Sequence, residues 1–300
     1  MFYRNIEKSL KGTIEKNFPI HYRNPKKVPV QISVRGNNIE ITAFVAFKPN
    51  LLKPYTNNGN MSDSFLKTKE PGFSFADAVC EGITKNWSGK FELDLNDNSV
   101  SVHKSVHDND IPDIGSFTLK TKVIRKDDPE AENYPGQRFF TVKEPLIKKG
   151  SFVLSPLWRW FWGLVRSPKS PESISLNWSP YWPGSIHLIH YGTLSRYEQV
   201  AAHEFGHIMG IGDAYGAPYR FFWEVPGTSD YMMNSDVRLH AREIIMALTA
   251  HKTGVMQHFP SKIHFKTMSK QMKSDFNYYY RSLKRKFKGS KKKRSSKRKS

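Results

Sequence analysis

The chain has 300 residues, 38% of them hydrophobic and 13% aromatic, which rules out wholesale disorder and leaves ample material for a buried core without staples. No run approaches 18 uninterrupted apolar residues, so a spanning helix is excluded. The single cysteine, Cys80, excludes an internal disulfide and a multi-cysteine metal cage. The net charge of +20 is unevenly placed, because residues 281–300 hold 12 Lys/Arg and no acid while the rest carry 35 bases against 27 acids.

Residues 1–20 are charged and interrupted, with no apolar h-region, so no secretory signal peptide is expected; the expected location is the cytoplasm, or outside the cell by a specialised export system. Ile6, Leu10 and Ile14 recur every four residues, as in a short amphipathic helix weakened by Gly12. Val28, Val30, Ile32 and Val34 alternate, Gly36-Asn37-Asn38 turns, and Ile39, Ile41, Ala43 and Val45 alternate again, which predicts a hairpin. Residues 49–73 read as a loop. Ser74 and Asp77 predict a capping box for a helix whose apolar face is Ala78, Val79, Ile83 and Trp87. Phe91 to Val102 predicts a second hairpin about Asn96-Asp97-Asn98, and Phe117–Ile124 and Phe139–Val142 predict further strands.

Residues 156–183 hold five of the seven tryptophans; Trp158, Trp160 and Trp162 share a face if the segment is extended. Packing or a partner surface is the favoured reading there, with a membrane-interface patch as the alternative. Ser185–Tyr191 predicts a short strand, and a last helix is expected from about Val237 to Lys252 with Ala241, Ile244, Ile245 and Leu248 inward. Strands dominate the first half and helices the second, so the expected fold class is α+β.

The segment richest in chemistry is His203-Glu204-Phe205-Gly206-His207-Ile208-Met209-Gly210-Ile211-Gly212-Asp213. Ser195 as N-cap and Glu198 as its capping-box partner predict where its helix starts, and Val200, Ala201, Ala202, Phe205, Ile208 and Met209 predict that the helix is buried. His203 and His207 lie one turn apart on one face and can share a metal ion. Glu204 is rotated about 100° from His203 and about 60° from His207, so it flanks the ion and can take a proton from a water there. Gly210 can leave the helix through positive φ and bring Asp213 back as third ligand. Three protein ligands with a free fourth position describe a catalytic rather than a structural site, and this donor set suits one Zn²⁺. A bare HExxH pattern occurs by chance in roughly 1–2% of such chains, and the added Gly and Asp make coincidence far rarer.

These residues resemble the metzincin-type zinc metallopeptidases, in the HExxHxxGxxD variant with Asp in place of a third His. Ser229-Asp230-Tyr231-Met232-Met233-Asn234 resembles the Met-turn of that family, with Met233 favoured as the turn methionine and Met232 the alternative. More narrowly, Gly212-Asp213-Ala214-Tyr215, the Met-turn, Ile244-Ile245-Met246 through Lys252-Thr253-Gly254 to Gln257, and Trp87-Ser88-Gly89-Lys90-Phe91 within Ile83–Val102 are similar to metallopeptidase toxin domains of bacterial polymorphic and Rhs-type toxins. The resemblance implies a mixed sheet over two long helices, a cleft beneath an edge strand formed here by Ser185–Tyr191, and zinc-dependent endopeptidase activity with Glu204 as general base, in a toxin or effector. It leaves the oxyanion donor open, since Ser235 (or Asn234) stands where some members carry a tyrosine; Tyr215 and Tyr231 are nearby substitutes.

The expected organisation is a helix and hairpin over residues 1–70, either separate from or part of the catalytic domain, then a metallopeptidase domain over 71–265 and a disordered basic tail over 281–300. The expected partners are a protein or peptide substrate and, for the tail, an anionic molecule such as nucleic acid or lipid. The alternative function is a nucleic-acid- or surface-binding protein with a structural metal site. His103 and His107 read as a surface turn, His187 and His190 as edge-strand residues, and His240 and His251 as solvated helix positions.

Overall fold

The computed structural model describes residues 13–55, 71–92, 116–145, 150–166, 176–190, 193–214, 227–235 and 238–259, together with 273, 276–277 and 280–281. The second arm of the hairpin predicted after Phe91, the histidines His103 and His107, Tyr215 and the basic tail beyond Arg281 lie outside the described residues.

The architecture is mixed α/β, compatible with the α+β class: a mixed sheet with helices packed on it. Strands β1 (Val30–Arg35) and β2 (Asn38–Phe47) form the predicted hairpin, paired antiparallel from Val30↔Ala43 to Arg35↔Asn38. Gly36 sits at φ 59° in the two-residue loop, a conformation that matches the twist of the strands and favours glycine. The other edge of β2 carries β4 (Phe117–Arg125) in parallel register, and β3 (Gly89–Phe91) closes that side antiparallel to β4. Beyond the β1 contact, β2 pairs in parallel with β5 (Phe140–Lys143), which pairs in parallel with β7 (Ser185–His187). Outside β7 lies β6 (Phe152–Leu154), antiparallel to it. The expectation that Ser185–Tyr191 forms the edge is therefore corrected. The strand is shorter than predicted and is flanked on both sides, because the apolar Phe152-Val153-Leu154 segment pairs with its free backbone.

The side chains alternate as a half-buried sheet requires. Ile39, Ile41, Ala43 and Val45 of β2, Phe117 and Leu119 of β4, Val142 and Ile186 all join the main core. On the opposite face Phe44 is buried under Tyr134 and Phe139, packed edge-on at ring separations of 5.0 and 5.8 Å. Short helix α1 (Ile14–Asn17), capped by Thr13, contributes Ile14 to the core.

Helix α2 (Phe75–Asn86) begins with the predicted capping box: Ser74 Oγ accepts from the Asp77 amide, and the Asp77 carboxylate accepts from the Ser74 amide at 2.7 Å. The Asp77 carboxylate also pairs with Arg125 of β4. Helix α2 packs on α4 (Leu194–Ile208), and the two backbones meet at Gly82, where a Cβ would lie 2.5 Å from the Glu198 carbonyl oxygen. At the end of α2, Trp87 is fully buried, donates its indole N–H to the Ala202 carbonyl at 2.9 Å and stands edge-on to Phe205.

The part of the tryptophan-rich segment that carries Trp158, Trp160 and Trp162 is a helix, α3 (Leu157–Arg166), and not the extended run that would place those three on one face. The Arg159 amide donates to the Pro156 carbonyl to close the first turn, and Arg159 and Asn177 exchange side-chain-to-backbone bonds at 2.9 Å. Trp160 donates to the Ser155 carbonyl, while Leu157, Trp158, Phe161 and Trp162 are exposed. Helix α5 (Met232–Ser235) is a single turn, and α6 (Ala241–Thr253) starts four residues later than expected and ends at Gly254, φ 69°. No helix among the described residues is long and apolar enough to cross a membrane.

Candidate metal centre

The helix that carries the motif, α4, starts at Thr193, whose Oγ1 accepts from the Arg196 amide at 3.3 Å. This corrects the expectation of Ser195. Leu194 is the first helical residue and is buried, and Glu198 faces α2, with Lys85 at 3.9 Å. From Val200 to Ile208 every residue of α4 is buried, His203, Glu204 and His207 included. Such a helix is costly for polar side chains without partners, so the partners matter.

The C-terminal end of α4 is a Schellman arrangement. The Ile211 amide donates to the Gly206 carbonyl and the Gly210 amide to the His207 carbonyl, both at 3.0 Å, with Gly210 at φ 84°. A Cβ on Gly210 would lie 2.6 Å from the Trp178 ring and 2.8 Å from Ala250, so both dihedral and space require glycine. The chain then runs beside the segment after α6, held by Gly212 N–H to the Gln257 carbonyl and Gln257 N–H to the Gly210 carbonyl, each 2.8 Å. One residue past Asp213, the Ala214 amide donates to the Met233 carbonyl at 2.9 Å. These backbone clamps on either side fix where the Asp213 carboxylate points.

It points at both imidazoles. Asp213 Oδ1 lies 3.1 Å from His203 Nε2 and 3.3 Å from His207 Nε2, and the three ligand atoms lie within 4.8 Å of one another. Each ring's other nitrogen faces a backbone carbonyl: His203 Nδ1 donates to Met232 O at 2.8 Å and His207 Nδ1 to Ile211 O at 2.9 Å. A carbonyl only accepts, so both Nδ1 atoms carry the proton and both Nε2 lone pairs face the carboxylate. Three lone-pair atoms at this separation repel unless a proton or a metal ion lies among them. A tetrahedral ion with bonds of about 2.0 Å has ligand–ligand edges of about 3.3 Å, and the two edges to Asp213 match that length. Where protons on Nε2 take the place of a metal ion the rings are charged, and although burial raises the pKa of Asp213, that positive charge on His207 and His203 brings it well below the ordinary carboxylate range. His203, His207 and Asp213 thus form a cluster that could hold a metal ion.

Beneath the cluster lies the turn at Tyr231–Asn234. Met233 is fully buried, and a Cβ on Gly206, between the two histidines, would sit 2.2 Å from its sulfur. Met233 therefore packs directly on α4 at Gly206, three residues after His203 and one before His207.

Two features escaped the sequence reading. Glu243, completely buried, accepts from Met233 N–H through Oε1 at 2.7 Å and from His240 N–H through Oε2 at 2.8 Å. Burial drives its pKa up, against those backbone donors, to about 7. The signal was there as an acid three residues after the helix start, but with His240 in place of the usual Ser or Thr. Trp178 is the second. It donates its indole N–H to Ile208 O at 2.9 Å and so serves the last turn of α4 as Trp87 serves the middle.

The remaining histidines correct expectations. His251 is buried, with Nδ1 at 2.9 Å from the Tyr22 hydroxyl and its ring edge-on to Trp178, and burial lowers its pKa to about 3. His240 is half-buried, stacked on Tyr231 at 4.0 Å and 3.0 Å from Asp230. Neither is a solvated helix position, because α6 is packed nearly all round. His187 stacks on Phe152, and His190 packs among Tyr55, Phe75 and Tyr197.

No family model, curated protein or solved structure matches the chain.

Proposed function

We propose that the protein is a zinc-dependent endopeptidase of metzincin type, acting as a toxin or effector. The observation that carries this reading is the convergence of two imidazole lone pairs, each aimed by a backbone carbonyl, on one carboxylate oxygen at 3.1 and 3.3 Å. The His/His/carboxylate donor set suits Zn²⁺, and three protein ligands leave room for water and substrate. A mixed sheet with an antiparallel edge strand over α2 and α4, and a buried methionine against Gly206, support the family reading. Bound Zn²⁺ would supply Lewis acidity toward a water and the scissile carbonyl. His203, His207 and Asp213 would hold it, the Asp213 charge offsetting part of its own. Glu204, next to His203 on the buried face, takes the proton of the attacking water and returns it to the departing amine. The edge of β6 that pairs with no other strand among the described residues is the place where an extended peptide can add as a further strand.

Glu204→Gln is expected to keep stoichiometric zinc and lose cleavage by a factor of 10² or more, whereas His203→Ala loses zinc in elemental analysis. Proteome-wide mapping of new N-termini after expression of wild type and of Glu204→Gln tests both activity and substrate. Neo-N-termini at equal abundance in the two samples would contradict the proposal. The effector reading expects wild-type expression, but not Glu204→Gln, to arrest growth.

A further inference from the structure

We infer that Glu243 is a positioning residue for His203 and acts on it through the Met232–Met233 peptide unit, so that divalent-ion affinity depends on a carboxylate outside the ligand set. This rests on the reading of His203, His207 and Asp213 as a metal site. A trans peptide is planar, and its C=O and N–H point in opposite directions. The carbonyl of this one faces His203 Nδ1–H at 2.8 Å, and its N–H faces Glu243 Oε1 at 2.7 Å. A carboxylate pulling on the N–H side polarises the unit and enriches the carbonyl oxygen, which pulls harder on the imidazole proton. The effect at Nε2 is a more basic lone pair, as when a carboxylate bonds a metal-ligating histidine directly.

His207 provides an internal comparison. Its Nδ1–H meets the Ile211 carbonyl at 2.9 Å, and the N–H of that same peptide, on Gly212, ends on the neutral Gln257 carbonyl at 2.8 Å. Both ligands thus have an imidazole–peptide–acceptor chain, but only the one on His203 ends in a charge. Capping α6 does not require that charge to be fully buried, since caps of the Ser/Thr kind do it at the surface. Glu243 instead spends one oxygen on the helix start and the other on the turn that supports His203.

The test uses full-length protein at pH 8, above the value of about 7 to which burial raises Glu243. Glu243→Gln is expected to weaken Zn²⁺ binding, measured by chelator competition, by about 10–100-fold. The His203 Nδ1 proton resonance should move upfield while that of His207 stays. Wild-type affinity together with an unmoved His203 resonance would overturn the inference; so would an equal movement of both histidines, which marks a general structural role. If wild type itself binds no zinc, or His203→Ala binds it equally, the metal reading fails, and the Nδ1 resonances of the metal-free protein still decide the relay. Should Glu243→Gln not fold, the wild-type spectrum decides. A Met233 amide proton and a His203 Nδ1 proton both downfield of their His207-chain counterparts support the relay, and their absence from that range overturns it.

Discussion

At the residue scale, the centre depends on glycines as much as on ligands. Gly210 combines φ 84° with contact to Trp178 and Ala250, so Gly210→Ala adds a left-handed penalty to overpacking and is expected to cost about 2–4 kcal/mol in urea unfolding. Because Gly210 is the pivot that returns Asp213, the same variant should also, if the cluster holds zinc, lose it more readily. An unchanged unfolding midpoint would show that the turn can be made without it. His251 offers a pH test. Its folded pKa, lowered by burial to about 3, lies below its unfolded value near 6.5, so the unfolded state binds the proton first and stability falls as pH drops from about 6.5 toward 3. His251→Gln should make that decline shallower by up to one proton, about 1.4 kcal/mol per pH unit, in denaturation curves at fixed metal content.

At the scale of elements, the contact between α2 and α4 is set by Gly82, whose missing side chain lets Glu198's backbone approach. Gly82→Ala would meet main-chain atoms that cannot rotate away, and about 1–3 kcal/mol of destabilisation is expected in thermal unfolding. The capping box of α2, the hairpin of β1 and β2 and the helix bearing His203 and His207 were all legible, because each rests on contacts within a few residues. The start of α4 was misread because Ser195 and Thr193 are comparable caps in isolation, and it is Thr193 whose hydroxyl meets a helix amide, that of Arg196. The edge strand was misread for the same reason. A three-residue apolar run such as Phe152-Val153-Leu154 carries no local sign of which strand it will flank. Glu243 was invisible because its meaning comes from a turn ten residues earlier in the chain.

At the scale of the whole molecule, the positive charge and the candidate centre occupy different parts of the sequence: 12 of 47 Lys/Arg fall in residues 281–300, far beyond Asp213. If the molecule is a peptidase, deletion of 282–300 leaves cleavage of a soluble substrate within a few-fold of the full chain and removes the salt-sensitive part of any binding to polyanions. If it is instead a surface- or nucleic-acid-binding protein with a structural metal, that deletion abolishes its function while Glu204→Gln has no effect. A peptide-cleavage assay on the two variants side by side separates the cases.

Five of the six described indoles fall into two optical classes. Trp87 and Trp178 are enclosed and tethered to the carbonyls of Ala202 and Ile208, whereas Trp158, Trp162 and Trp182 stand open to solvent. A quencher such as acrylamide should therefore dim the red-shifted emission first and leave a blue-shifted remainder. That remainder, without any added label, would report the integrity of the helix between the two tethers, and so whether the ligands still share one rigid support.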